Sequence, residues 1–213
     1  MGAALLAGAC GGGDGDAVTI LAASSLTDAF EELAERHEGD EALAHGSSGA
    51  LATQLREGAP GDVFASADDV AIAGFDGAEV FATNRLAILV PEGNPAGIGS
   101  VEDLAGVRLA LCGPEAPCGR YAAEAFAAAG MDVPPASREE NARGVAQKVA
   151  AGEADAGIAY VTDAGPGTDV VVVDGIEPTY LIVALTAAGE PFVDLVLSEE
   201  GLAVLADHGF GPP

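Results

Sequence analysis

Tryptophan is absent from this 213-residue sequence, and aromatic residues together make up only 5% of it. The core must therefore be built from aliphatic side chains and alanine. Basic residues are scarce as well: Lys148 and seven scattered arginines face 34 acidic residues, for a net charge of −26. Neutralising phosphates takes clustered Lys and Arg, so nucleic acid is excluded as a partner, and an anionic membrane surface with it. No C-x-x-C or His-rich spacing supports a zinc site, and His37, His45 and His208 are isolated from one another. There is also no G-x-S-x-G nucleophile elbow. Against these absences stands a hydrophobic content of 49%, well above the disordered range despite the charge. The acid is the solvated surface of a folded body, and the length allows one to two domains with a real core.

The first sixteen residues form a separate segment. Met1–Ala9 is apolar but too short to cross a bilayer, which takes about 20 residues. It reads as the end of a secretory signal with small residues before the cut. Ala7-Gly8-Ala9-Cys10 resembles a lipoprotein cleavage box, with Cys10 as the lipidated residue and the Gly/Asp stretch behind it as a flexible tether. This predicts an exported protein, periplasmic or on the outer face of the membrane, held there only by its lipid. Cys112 and Cys118 then remain as a pair in an oxidising setting and are expected to form a disulfide, the alternative being two buried free thiols. Pro114 and Pro117 between them favour a tight turn.

Along the rest of the chain, apolar strands alternate with amphipathic helices. Strands are predicted at 18–22, 62–65, 85–90, 107–111, 156–160, 170–173 and 180–185. Helices are predicted at 26–36, 50–57, 121–129, 142–151, 193–197 and 201–208. This alternation argues for an α/β architecture with mainly parallel sheets. No internal repeat is visible.

Four of the helices begin at similar polar or glycine-rich junctions: Ala23-Ser24-Ser25, Gly46-Ser47-Ser48-Gly49, Pro117-Cys118-Gly119 and Glu140-Asn141-Ala142. A helix N-terminus offers unpaired N–H groups and about half a positive charge, and so binds oxyanions without Arg or Lys. The same Ser25, Ser48 and Asn141 also suit plain N-caps, and Ser25-x-x-Asp28 resembles a capping box. The pattern leaves both roles open.

Ile20-Leu21-Ala22-Ala23-Ser24-Ser25-Leu26-Thr27-Asp28-Ala29-Phe30 resembles the opening strand and helix of the periplasmic molybdate-binding proteins of ABC transporters. Gly46-Ser47-Ser48-Gly49-Ala50-Leu51 is similar to their second serine loop, and Gly58-Ala59-Pro60-Gly61-Asp62-Val63-Phe64-Ala65-Ser66-Ala67-Asp68 is the most specific signature. Asn84-Arg85-Leu86, Pro117-Cys118-Gly119-Arg120-Tyr121-Ala122, Asn141-Ala142-Arg143-Gly144-Val145 and Gly157-Ile158-Ala159-Tyr160 follow in family order, from about Val18 to Phe210. Between His37 and His45 the chain is shorter than the family pattern, which leaves a second strand of only about Ala42–Ala44.

The resemblance implies a two-lobed periplasmic-binding-protein fold of type II, with the ligand in the cleft between the lobes. Chain crossings fall near Leu86–Pro91 and Thr179–Val183, giving lobe I as 17–88 plus 182–213 and lobe II as 89–181, after a signal remnant and tether at 1–16. Carried over by position, the oxyanion-binding hydroxyls are Ser25, Ser48 and Tyr160, and the N–H donors include Ser48, Cys118 and Ala142. The ligand implied is molybdate or tungstate, held as an oxyanion with no direct metal ligand and no cofactor. The partners implied are the transmembrane permease subunits of an ABC importer, with the receptor itself a monomer. A same-fold receptor for sulfate or phosphate is the second reading. An enzyme using Ser25 or Ser48 as nucleophile is the remote third, since neither serine has a His near it in sequence.

Overall fold

The computed structural model describes residues 17–213; the signal remnant and the candidate lipidation site Cys10 lie outside them. Two five-stranded sheets carry the fold. The first is built from β1 (Val18–Ala23), β2 (Glu41–Gly46), β3 (Val63–Ser66), β4 (Glu79–Thr83) and β10 (Thr179–Ala184), in the order β2-β1-β3-β10-β4. The second is built from β5 (Leu86–Pro91), β6 (Leu109–Cys112), β7 (Ser137–Glu139), β8 (Ala156–Tyr160) and β9 (Thr168–Val172), in the order β7-β6-β8-β5-β9.

The two orders have one plan. In each sheet the first three strands run parallel, and the last two are antiparallel to their neighbours. The sheets are therefore mixed rather than mainly parallel. The reason is the chain crossing: β5 enters the second sheet between β8 and β9, and β10 enters the first between β3 and β4. Each crossing strand lies wholly in its new sheet, so the chain changes sheets at 84–85 and 173–178. The expected boundaries at 88 and 181 fall inside β5 and β10.

Helices α1 (Thr27–Arg36) and α2 (Ser48–Arg56) link the parallel strands of the first sheet. The one-turn α3 (Asp69–Ile72) follows β3. Helices α4 (Pro117–Ala128) and α5 (Ala142–Ala150) link the parallel strands of the second sheet, and α6 (Glu190–Leu197) and α7 (Glu199–Asp207) close the chain. Burial follows helical spacing: α5 buries Ala142, Val145, Ala146 and Val149. The central strands β3, β5, β6 and β8 are near-continuously buried, as expected for strands covered on both faces. Helix α4 starts four residues before its predicted position, with Pro117 in its first turn, where a missing N–H costs nothing. Strand β2 is longer than the expected Ala42–Ala44, pairing with β1 at every position from Val18↔Glu41 to Ala23↔Gly46. Among the described residues no helix is long and apolar enough to cross a membrane.

Cys112, the last residue of β6, is bonded to Cys118 in the first turn of α4, with Cα atoms 5.8 Å apart. Both cysteines are buried. Replacing both by alanine should lower the unfolding free energy by about 2–2.5 kcal/mol, from the entropy of the short loop they close. Chemical denaturation under non-reducing conditions measures this, and an unchanged midpoint would contradict it.

Candidate functional site

Each half places two helix N-termini beside one another. In the first sheet β1 lies between β2 and β3, so the chain leaves β1 and β2 in opposite directions across the sheet; β6 is placed the same way in the second. Crevices at the carboxyl ends of strands, at such reversals, are where α/β sheets bind ligands. The helices that start there are the four whose junctions the sequence singled out. All of them face one small cavity lined by Ser24, Ser25, Ser47, Ser48, Cys118, Asn141, Ala142 and Tyr160, among others.

Ser25, Ser48, Cys118, Ala142 and Tyr160 are thus brought together although 135 positions separate the first from the last. The cavity is very small, with a volume of about 10 Å³, far below the roughly 300–1,000 Å³ of pockets for drug-sized ligands. None of the described residues lining it is charged. A larger cleft adjoins it, lined by His45, Gly49, Glu115 and Arg120 from the two halves.

The hydrogen bonds around the cavity leave its hydroxyls as donors. Ser48 Oγ accepts the Ala67 N–H at 3.0 Å, which leaves its own proton free. Ser25 Oγ lies 2.7 Å from Tyr180 Oη, a pair in which either oxygen can donate. Asn84 joins this pair. Its Oδ1 accepts the Arg85 N–H at 2.8 Å, so its Nδ2 donates to Thr162 Oγ1 at 2.8 Å and to Tyr180 Oη at 3.3 Å. With Tyr180 Oη accepting from Asn84, a Tyr180 proton given to Ser25 would free the Ser25 proton for the cavity. Tyr160 Oη is buried without a hydrogen-bond partner among the described residues. The first-turn amides of Ser48, Cys118 and Ala142 complete the set, since helix geometry gives them no intrahelical acceptor. Asn141 does act as an N-cap, taking the Gly144 N–H at 3.0 Å. Ser25 and Ser48 do not cap their helices through their side chains.

Sequence reasoning missed Tyr180 and the role of Asn84. Asn84 stands in a quoted motif, but its contacts span 78 and 96 positions and carry no local signal. The three tyrosines of the chain stack edge-on behind the cavity, with Tyr160 6.4 Å from Tyr121 and 6.0 Å from Tyr180 between ring centres. Their burial raises the Tyr160 and Tyr180 hydroxyls well above the ordinary tyrosine range, so both stay protonated donors. The histidines take no part in the cavity lining: His208 pairs with Glu32, His37 with Glu41, and burial holds the His45 ring towards its neutral form.

Beneath Tyr160, the Asp163 carboxylate accepts the Tyr160 N–H at 3.1 Å. Asp163 is half-buried as a residue, but its carboxyl is desolvated, and this pushes its pKa from 3.8 up to about 7 against the opposing pull of that N–H and Arg143. A carboxyl raised in the folded state contributes stability below pH 4, which is lost as pH climbs through 7. Between those limits the loss is up to about 1.4 kcal/mol per pH unit. Asp163→Asn should flatten that slope in denaturation midpoints measured from pH 4 to pH 8; an unaltered slope would show that Asp163 does not titrate there.

The profile of the bacterial extracellular solute-binding proteins matches residues 18–211. The molybdate-binding protein ModA of Mycobacterium tuberculosis is 35% identical over 92% of this chain and 85% of its own length. Among solved structures, the periplasmic molybdate-binding protein of Azotobacter vinelandii superposes with a TM-score of 0.68 at 20% identity, over 92% of this chain and 99% of that one. The sulfate-binding protein SubI of Mycobacterium tuberculosis gives 0.73 at 15% identity, over 92% and 86%. These two structures share the two-lobed type II fold. By profile this chain belongs to the bacterial extracellular solute-binding proteins, and by sequence identity to the ModA family among them.

Proposed function

We propose that this protein is the receptor of an ABC importer, capturing molybdate or tungstate and delivering it to the membrane permease. Exported to the periplasm or the outer face of the membrane, it is anchored there by a lipid on Cys10. The observation that carries this reading is a small uncharged cavity, lined from both halves, onto which three hydroxyls and three first-turn amides open as available donors. A tetrahedral dianion presents only acceptor oxygens and matches such a site. The ligands are the hydroxyls of Ser25, Ser48 and Tyr160 and the amides of Ser48, Cys118 and Ala142. Charge-assisted hydrogen bonds of this kind contribute roughly 1.5–3 kcal/mol each. The relatives are named as binding proteins, and the family's work is transport rather than catalysis.

Sulfate is the competing ligand, since a receptor of that oxyanion shares the fold. Hydrogen phosphate fits less well, because its proton needs an acceptor carboxylate and none lines the cavity. Thermal melting separates the readings. Molybdate at a hundredfold excess over its dissociation constant should stabilise the protein by about 2.7 kcal/mol. A melt unmoved by molybdate and tungstate but raised by sulfate would replace this reading with the second. Ser25→Ala and Ser48→Ala should each weaken oxyanion binding by roughly 1–3 kcal/mol, since each deletes a donor to a charged ligand. Unchanged affinity in both would remove them from the site.

A further inference from the structure

Asp68 and Arg120 form an ion pair across the cleft. Asp68 follows β3 of the first sheet, while Arg120 lies on α4, packed on β6 and β8 of the second. Both nitrogens on one edge of the guanidinium, Nε and Nη2, reach Asp68 Oδ2, the Nε contact at 2.9 Å. The other carboxylate oxygen accepts the Ala71 N–H at 2.9 Å, and Arg120 Nη1 donates to the Glu115 carbonyl at 2.6 Å. Every charged atom in the pair that can bond is therefore directed. The Asp68 side chain is only 3% exposed and that of Arg120 28%.

Its place matters as much as its geometry. Asp68 is one residue beyond Ala67, whose N–H holds Ser48 Oγ, and Arg120 is two residues beyond Cys118. The bond therefore ties together the two chain segments that present Ser48 and the Cys118 amide. A second pair crosses the cleft between Asp28 and Arg143 at 2.8 Å, but its side chains are 63% and 41% exposed. Exposed pairs of that kind contribute little, whereas removing one partner of a buried pair strands an uncompensated charge.

We propose that the Asp68–Arg120 bond is the latch of the closed state, and that it sets oxyanion affinity without touching the oxyanion. This rests on the oxyanion reading given above. When the halves separate, the Asp68 carboxylate meets water. When they close, it is buried and needs Arg120. Removing Arg120 therefore penalises the closed, ligand-holding form and not the open one. Arg120 and Asp68 are positioning residues.

Calorimetric titration of wild type, Arg120→Met, Asp68→Asn and the double variant with molybdate, tungstate, sulfate and phosphate tests this. Methionine keeps the aliphatic stem, and asparagine keeps the acceptor for Ala71. Arg120→Met should raise the dissociation constant for the preferred anion at least tenfold. Its ligand-free melting point should stay within a few degrees of wild type. Adding Asp68→Asn to it should restore much of the affinity, because the stranded carboxylate is gone; a residue needed only for folding would show no such rescue. Affinity equal to wild type in Arg120→Met, or a double variant weaker than the sum of the singles, would overturn the latch. A wild type that binds none of the four anions would instead overturn the oxyanion reading, and the latch with it.

Discussion

Tyr160→Phe should weaken molybdate binding by roughly 1.5–3 kcal/mol while leaving the ligand-free protein as stable as before, or slightly more stable. Tyr160 is 1% exposed, and its hydroxyl has no partner among the described residues. A buried hydroxyl without a partner is a cost to the fold, on the order of 1–3 kcal/mol. The ring is a separate matter: it packs edge-on between Tyr121 and Tyr180, and phenylalanine keeps that packing. Deleting the oxygen removes a donor that only an anion in the cavity uses. Opposite signs for affinity and stability identify a binding group. A variant that loses both would make Tyr160 a structural tyrosine at the end of a buried strand.

Gly49→Val should have an effect of similar size on binding and almost none on the isolated halves. A Cβ at Gly49 would come closer than 3.0 Å to the Glu115 carbonyl oxygen, a backbone atom that cannot swing aside. Gly49 sits in the first turn of α2, on the first sheet, and Glu115 precedes α4, on the second. The clash exists only when the halves meet. Overpacking of this kind costs about 1–3 kcal/mol, here charged entirely to closure. Titration should show the loss in affinity, and small-angle scattering should show a variant that molybdate compacts less than wild type. Equal affinity in Gly49→Val would mean that the halves do not approach as closely as this when the anion is held.

Much of this arrangement was legible in the sequence because it is local. Runs such as Ile20–Ala22, Ala87–Val90 and Ala156–Tyr160 have the unbroken apolar character of strands buried on both faces, and they are buried strands. The four helix junctions were equally readable, since capping and glycine chemistry act within a few residues. Two of the edge strands, β4 and β7, were not. Ser137-Arg138-Glu139 is polar throughout, and only its ladder with β6 makes β7 a strand. Strand β4 likewise depends on pairing with β10, nearly a hundred positions away. Alternating strands and helices suggested parallel sheets, and nothing in that alternation reveals that β5 and β10 change sheets and run the other way. The Asn84–Tyr180–Ser25 relay was hidden for the same reason. Its energy comes from contacts between distant segments, and each residue alone looks ordinary.

Isothermal titration of the mature protein with molybdate, followed by competition with sulfate and phosphate, tests the donor-only oxyanion site most directly. One molybdate per chain should bind, tungstate should displace it, and sulfate and phosphate should bind more weakly or not at all. Tighter binding of sulfate or phosphate than of molybdate, or no heat with any of the four, would contradict the assignment of this cavity.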